Sequence, residues 1–470
     1  MIEVASTTVD LARWQFATTS IYHFFFVPVT IGLAFLVAIL QTAWYRTDNP
    51  DYKRMTRFFG TLLLINVAIG VVTGLVQEFE FGMNWSTYSR YVGGVFGAPL
   101  AMEGLAAFFL ESTFLGLWLF GWDRLPKRVH LACIWAVSAG SMLSAMFILM
   151  ANSWMQHPVG YRIDRAGNAV LTNIWALFVN PTFVWGYAHV ILASLVTGCL
   201  VMLAVSAWYL RRGAHVESFQ RTAKVALIVL IPTIVVQLSV GNQLGEIEGE
   251  YQPAKIAAAE ALWNSCKPCS FSVAQIGGDS SSDEIATKII AIPHLLSVLA
   301  TGTWGGGVTG LNQLQAQYQK KYGPGDYIPN VAIQYWSMRT MAGLGTLVLL
   351  FALWGGWLLH RGKLQSARLF LWLSIWAVVT PFLMNTAGWL LTESGRQPWI
   401  VQGLQKTVNA NSPAVSATEI WISLTAFVLA YIVLAVADLG LMLRYSRRGL
   451  ADAYVEADEA SAGAVPALTY

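Results

Sequence analysis

The sequence predicts an all-α polytopic membrane protein with nine transmembrane helices, its N-terminus outside and its C-terminus cytoplasmic. Three observations predict this fold class. Of 470 residues, 56% are hydrophobic and 12% charged, against about 25% charged in a soluble domain, and the mean hydropathy is +0.53. Apolar stretches long enough to cross about 30 Å of hydrocarbon as helices recur along the chain. Basic residues gather in every second connection between those stretches. The net charge of +3 comes without any long basic block, so no nucleic-acid partner is expected.

The helices are expected at 18–45, 58–79, 98–122, 129–152, 182–210, 223–240, 332–359, 367–391 and 420–443. The first apolar run is too long for a cleavable signal and has acidic flanks. Arg46, Lys53, Arg54 and Arg57 follow the first helix; Arg124, Lys127 and Arg128 follow the third; Arg211, Arg212 and Arg221 follow the fifth. Arg361, Lys363 and Arg368 follow the seventh, and Arg444, Arg447 and Arg448 the ninth. The positive-inside rule turns these connections to the cytoplasm, and an odd number of crossings agrees with termini on opposite sides. The other connections, 80–97, 153–181, 241–331 and 392–419, are then external. The chain divides into a six-helix region (1–240), an external loop (241–331), a three-helix region (332–445) and a cytoplasmic tail (446–470).

In the long loop, Cys266 and Cys269 can form a short disulfide, which an oxidising exterior permits; with no second pair, a metal site is the weaker reading. "TGTWGGGVTG" lacks the Lys-Ser/Thr of a phosphate loop and reads as a flexible loop. No internal repeat is visible. Cys133 and Cys199 fall inside helices as packing residues.

Ionisable side chains inside a membrane are costly and mark functional sites. His130, His157, His215, His294 and His360 fall at helix ends or in loops, where solvated or interfacial positions are expected. His23 and His189 lie within apolar spans, as ligands or as members of interhelical hydrogen bonds. With the orientation above, His23, Glu103, Glu111, His189, Arg339, Met341, Glu393 and Arg396 lie towards the external face, with Glu78 at the outer end of the second helix. Neutral imidazole, a thioether, carboxylates and arginines in a dry aromatic layer suit haem. A His and a Met can bind one iron from two faces, whereas a single axial ligand leaves a face open for a gas. Taken alone, "TESGRQPW" reads as a helix terminus and Met341 as core packing.

Together, "YHFFFVPVTIG", "EFEFGMNWSTYSRYVGGVFGAPLAMEGLAAFFLESTFLGLWLFGWDRL", "ANSWMQHPVGY", "YWSMRTMAGLG" and "TESGRQPW" resemble subunit I of the cytochrome bd family of quinol oxidases, over about residues 10 to 445. The resemblance implies two b-type haems, one low-spin and one high-spin, and one d-type haem. His189 and Met341 match the axial ligands of the low-spin haem, with Arg339 beside it. His23 and Glu393 match those of the two high-spin haems, and which of them takes the d-type haem stays open. Glu103 and Glu111 match an acidic pair suited to proton delivery, and Arg396 would neutralise charge beside Glu393. "YQPAKIAAAE" resembles the quinol-oxidation segment, with Lys255 and Glu260 at the family's positions in a loop of the shorter type. The implied enzyme oxidises quinol at the outer face, reduces dioxygen to water and builds membrane potential without a pump, in the bacterial cytoplasmic membrane. A homologous membrane subunit II is implied, and small single-helix accessory subunits are possible partners. The competing classes are a haem electron carrier without oxygen chemistry and an ion-coupled secondary transporter, which usually carries paired repeats and broken helices.

Overall fold

A computed structural model describes residues 2–278 and 287–450, with side chains from residue 8 onward. Among the described residues nine helices are long and apolar enough to cross a membrane. They are α1 (Ile2–Thr47), α2 (Pro50–Met83), α3 (Ser86–Phe120), α4 (Lys127–Gln156), α5 (Pro181–Arg212), α6 (Val216–Tyr251), α7 (Val331–His360), α8 (Arg368–Gly395) and α9 (Ala417–Arg447).

Their starts follow capping chemistry. Asn49 precedes Pro50 and its side chain accepts from the Asp51 N–H; Asn180 precedes Pro181 and accepts from Thr182. An Asn cap followed by Pro satisfies one orphan donor and removes another. Ser416 and Glu419 form a reciprocal capping box at the start of α9.

Two helices depart from regular geometry near a proline. Pro99 lies inside α3, and the segment Glu103–Phe108 just beyond it is a π-helix; such wider turns recur at functional sites. The expected eighth span is two segments, Arg368–Ala377 and Thr380–Gly395. Pro381 has no N–H to offer the Ala377 carbonyl, and the Thr380 hydroxyl donates to it instead at 2.7 Å.

Several boundaries differ from expectation. The external connection expected at 80–97 shrinks to Asn84 and Trp85, because α2 and α3 continue past the apolar window as wetter helix. The sixth helix runs to Tyr251 rather than 240, so the acidic "GEIEGE" forms its last turns. His130 is not solvated: it is 1% exposed, with its ring nitrogens 2.8 Å from Gln41 and from the Trp118 carbonyl oxygen. Most of the expected tail, from residue 451, lies outside the described residues.

The core centres on α1, α2, α5 and α6, where Leu33, Leu36, Leu63, Leu200, Leu203 and Leu227 are fully or almost fully buried. Gly32 of α1 and Gly198 of α5 meet backbone to backbone, leaving no room for a Cβ on either. Small residues serve helix pairs in lipid this way, since dispersion contacts must supply attraction that water cannot. Apolar side chains on α7, α8 and α9, such as Leu350, Trp376 and Val436, remain exposed.

The connections on the N-terminal side of the bundle are folded. A hairpin pairs Tyr161–Ile163 with Ala169–Leu171, and another pairs Trp399–Val401 with Gln405–Lys406. The long loop carries a helix at Pro253–Ala259, a hairpin of Phe271–Ile276 with Thr287–Ile292, and a helix at Leu311–Tyr322. Cys266 and Cys269 are joined as a disulfide, and the Gly-rich stretch is pinned where Cys266 and Val308 exchange backbone hydrogen bonds.

Candidate functional site

Each histidine expected inside the membrane points at a neighbouring helix where a glycine lets it approach. His23 Nδ1 lies 2.9 Å from the Thr73 hydroxyl of α2, and a Cβ on Gly74 would come within 3.1 Å of the ring. Both ring nitrogens of His189 lie 3.2 Å from the Gln237 amide of α6, with Gly241 one turn on; a Cβ there would meet the ring at 3.1 Å. Met341 of α7 is similar: its sulfur would lie 3.2 Å from a Cβ on Gly388 of α8. The three potential ligands are thus backed by clefts that any larger residue would fill.

The carboxylates are distributed along α4. Glu111 packs on Gly140, and a Cβ there would lie 3.1 Å from its own Cβ. Glu103, first residue of the π segment, accepts from the Ser144 hydroxyl at 2.5 Å. Glu393 accepts from the Asn152 amide at 2.8 Å and from Arg396 at 2.5 Å. Gly140, Ser144 and Asn152 are four and eight residues apart, about 6 and 12 Å along the axis. One helix therefore lines up Glu111, Glu103 and Glu393 in order towards the expected outer face.

Arg396 is 3% exposed, yet its Nε and Nη1 have no partner among the described residues. Such donors, buried and unpaired, cost more than a hydrogen bond returns, so they are available to a further anionic group. Among the described residues no three His, Cys, Asp or Glu side chains converge on one point. The donor set therefore suits an iron whose equatorial ligands come from a porphyrin, with single axial side chains and an arginine for a propionate. The residues fit haem.

The loop residues form a second cluster. Lys255 is 1% exposed and donates to Glu248 Oε1 and Gln156 Oε1, both at 3.0 Å. Burial lowers its pKa, against the opposing pull of Glu248. Glu260 pairs with Arg339 through two bonds, 2.7 and 3.1 Å; burial raises its pKa and Arg339 opposes the shift. Arg339 also donates to the Ser272 and Ala259 carbonyls. Its five N–H groups are all committed to protein, so its geometry is that of an anchor for the loop rather than of a cofactor contact. A small pocket beside Lys255 is lined by Tyr318, Tyr327, Arg396, Trp399 and Gln402.

Sequence reasoning missed Thr73, Ser144, Asn152 and Gln237, although polar residues in oily helices were the available signal. It also missed Gln156 and Glu248, which lie at helix ends that hydropathy does not resolve.

A family model described as cytochrome bd terminal oxidase subunit I matches residues 11–450. The chain belongs to this family. It is a bacterial membrane protein, a subunit of a multi-subunit, haem-containing terminal oxidase that acts as a quinol:oxygen oxidoreductase. It is 46% identical over 444 residues to cytochrome bd ubiquinol oxidase subunit 1 of Bacillus subtilis (strain 168), covering 93% of each chain. It is 38% identical over 499 residues to cytochrome bd-II ubiquinol oxidase subunit 1 of Escherichia coli (strain K12), covering 94% of this chain and 96% of that one. The solved bd oxidase of Geobacillus thermodenitrificans superposes with a TM-score of 0.86 at 29% identity, over 95% of this chain and all of that one. The cytochrome bd fold thus matches the nine-helix bundle over most of its length.

Proposed function

We propose that this cytochrome bd subunit holds two b-type haems and one d-type haem close to the external face, oxidises quinol there and takes the protons for dioxygen reduction from the cytoplasm. His189 and Met341 would hold the low-spin b-type haem; His23 and Glu393 would hold the two high-spin haems. The chemistry that haem would supply at these residues is electron storage and the reduction of dioxygen to water. The observation that carries this reading is the buried guanidinium of Arg396, with two unpaired donors, beside a carboxylate already oriented by Asn152.

Quinol enters beside the Pro253–Ala259 helix. Glu260 accepts a hydroxyl proton and Lys255 steadies the oxygen. Glu111 and Glu103 pass cytoplasmic protons outward along α4, Ser144 holding Glu103 in position. Protons drawn from one side and released on the other build a potential without a pump, each charge carrying about 2.3 kcal/mol per 100 mV. The chain works with a homologous subunit II and possible small accessory subunits.

A reduced-minus-oxidised spectrum with haem extraction of the purified assembly tests this reading. Low-spin b, high-spin b and d bands are expected, and His189→Ala should remove the first alone. A preparation with only low-spin b bands would leave an electron carrier, and one with no haem bands a transporter.

A further inference from the structure

We propose that the seam between α1, α2 and α9 is a second, water-bridged proton relay into the oxygen-reducing layer, formed by Asp438, Tyr22, Tyr431 and Glu80. The inference rests on the haem reading above, since it needs the layer of His23 as its destination.

All four side chains carry a buried oxygen with no partner among the described residues: Asp438 Oδ1, Tyr22 Oη, Tyr431 Oη and Glu80 Oε1. Buried polar atoms are nearly always paired with protein or ordered water, and four orphans in one chain of neighbours mark a place for bridging water. The neighbours are explicit. The Tyr22 and Tyr431 rings stack with centroids 4.6 Å apart. Glu80 is tied to α1 through the Thr19 hydroxyl, about one turn before Tyr22, and Asp438 follows Tyr431 by two turns on α9. Tyr431 and Glu80 are 5% and 1% exposed.

The seam has a direction. Asp438 lies seven residues, about 10 Å, beyond Tyr431 towards the C-terminal end of α9. Tyr22 adjoins His23. Above them α1 and α2 are joined by polar rungs, Ser20 with Gln77 at 2.9 Å and Thr19 with Glu80 at 2.8 Å. The seam shares no residue with the Glu111–Glu103 route along α4.

Each transfer moves one proton and no electron: an O–H bond forms on the accepting oxygen as one breaks on the donor. A tyrosine hydroxyl takes a hydrogen from one water while giving its own to the next, so it need not ionise. The protons are consumed with electrons from quinol as dioxygen becomes water.

The test uses the complete oxidase with all its subunits, reconstituted in vesicles and fully reduced before mixing with dioxygen. Proton uptake and membrane-potential formation are followed together with haem absorbance. Asp438→Asn, Glu80→Gln and Tyr431→Phe should each slow the proton-coupled phase about twofold, the loss of one of two parallel routes, well below the ~100-fold of a sole proton donor. Haem absorbance should stay unchanged, and Asp438→Glu should restore the rate. Tyr431→Phe keeps the ring stack and carries the test if a carboxylate variant fails to assemble. Wild-type proton uptake in a coloured Tyr431→Phe or Asp438→Asn enzyme overturns the relay alone; a colourless wild-type preparation overturns the haem reading with it.

Discussion

Lys255 and Glu260 show how burial sets a residue's working range. Burial lowers the pKa of Lys255 and raises that of Glu260. Glu260 accepts protons only when ionised, so a raised pKa moves the acidic limb of the activity profile upward. Lys255 holds a quinol oxygen only when protonated, so a lowered pKa brings the basic limb down. Quinol oxidation should therefore follow a narrower bell than free side chains would produce, measured as kcat/KM against pH. Glu260→Gln should flatten the acidic limb and Lys255→Met the basic one; a bell unchanged in both variants would remove these residues from the step. Gly388 gives a second prediction at this scale. Gly388→Val puts a branched side chain against the Met341 sulfur and should displace it, changing the low-spin haem band and lowering its potential as the thioether is lost.

Among elements, α4 carries the most consequence. Its Gly140, Ser144 and Asn152 face Glu111, Glu103 and Glu393 in turn, and Glu103 is the first residue of the π segment of α3. Gly140→Leu would strike the Leu110 side chain and Glu111. It should slow oxygen turnover by about twofold or more, the loss of one of two proton routes rather than the ~100-fold of a sole carrier. Glu111→Gln should do the same while leaving the His189/Met341 haem absorbance intact; stopped-flow turnover with spectra checks both. The apolar spans and their basic flanks were legible because hydropathy is a property of composition along one helix. The ends of α2, α3 and α6 were not, because polar turns extend a helix into water without changing the apolar count. His130 was misplaced for a related reason: position at a helix end says nothing about whether Gln41 and Trp118 close over it.

At the scale of the whole molecule, sidedness decides whether the chemistry stores energy. Cysteine placed at Lys288, exposed on the loop hairpin, should react with an impermeant maleimide on intact cells. Cysteine at Arg361 should react only after permeabilisation. The natural cysteines leave little background, since Cys133 and Cys199 are buried and Cys266 and Cys269 are joined. Labelling at Lys288 only from the cytoplasmic side would reverse the proposed direction of every proton.

The sequence by itself determined the solvent, the nine crossings and the small set of costly residues worth asking about. Each of these follows from local composition: an apolar run of about eighteen or more residues is long enough to span, and a charge within it must be compensated. Only the tertiary structure decided the compensation. Arg339 turns all its donors to the loop, Arg396 keeps two in reserve beside Glu393, and Tyr22 of α1 stacks on Tyr431 of α9. Those pairings join residues far apart in the chain, and their energies depend on distances and burial that no single segment encodes.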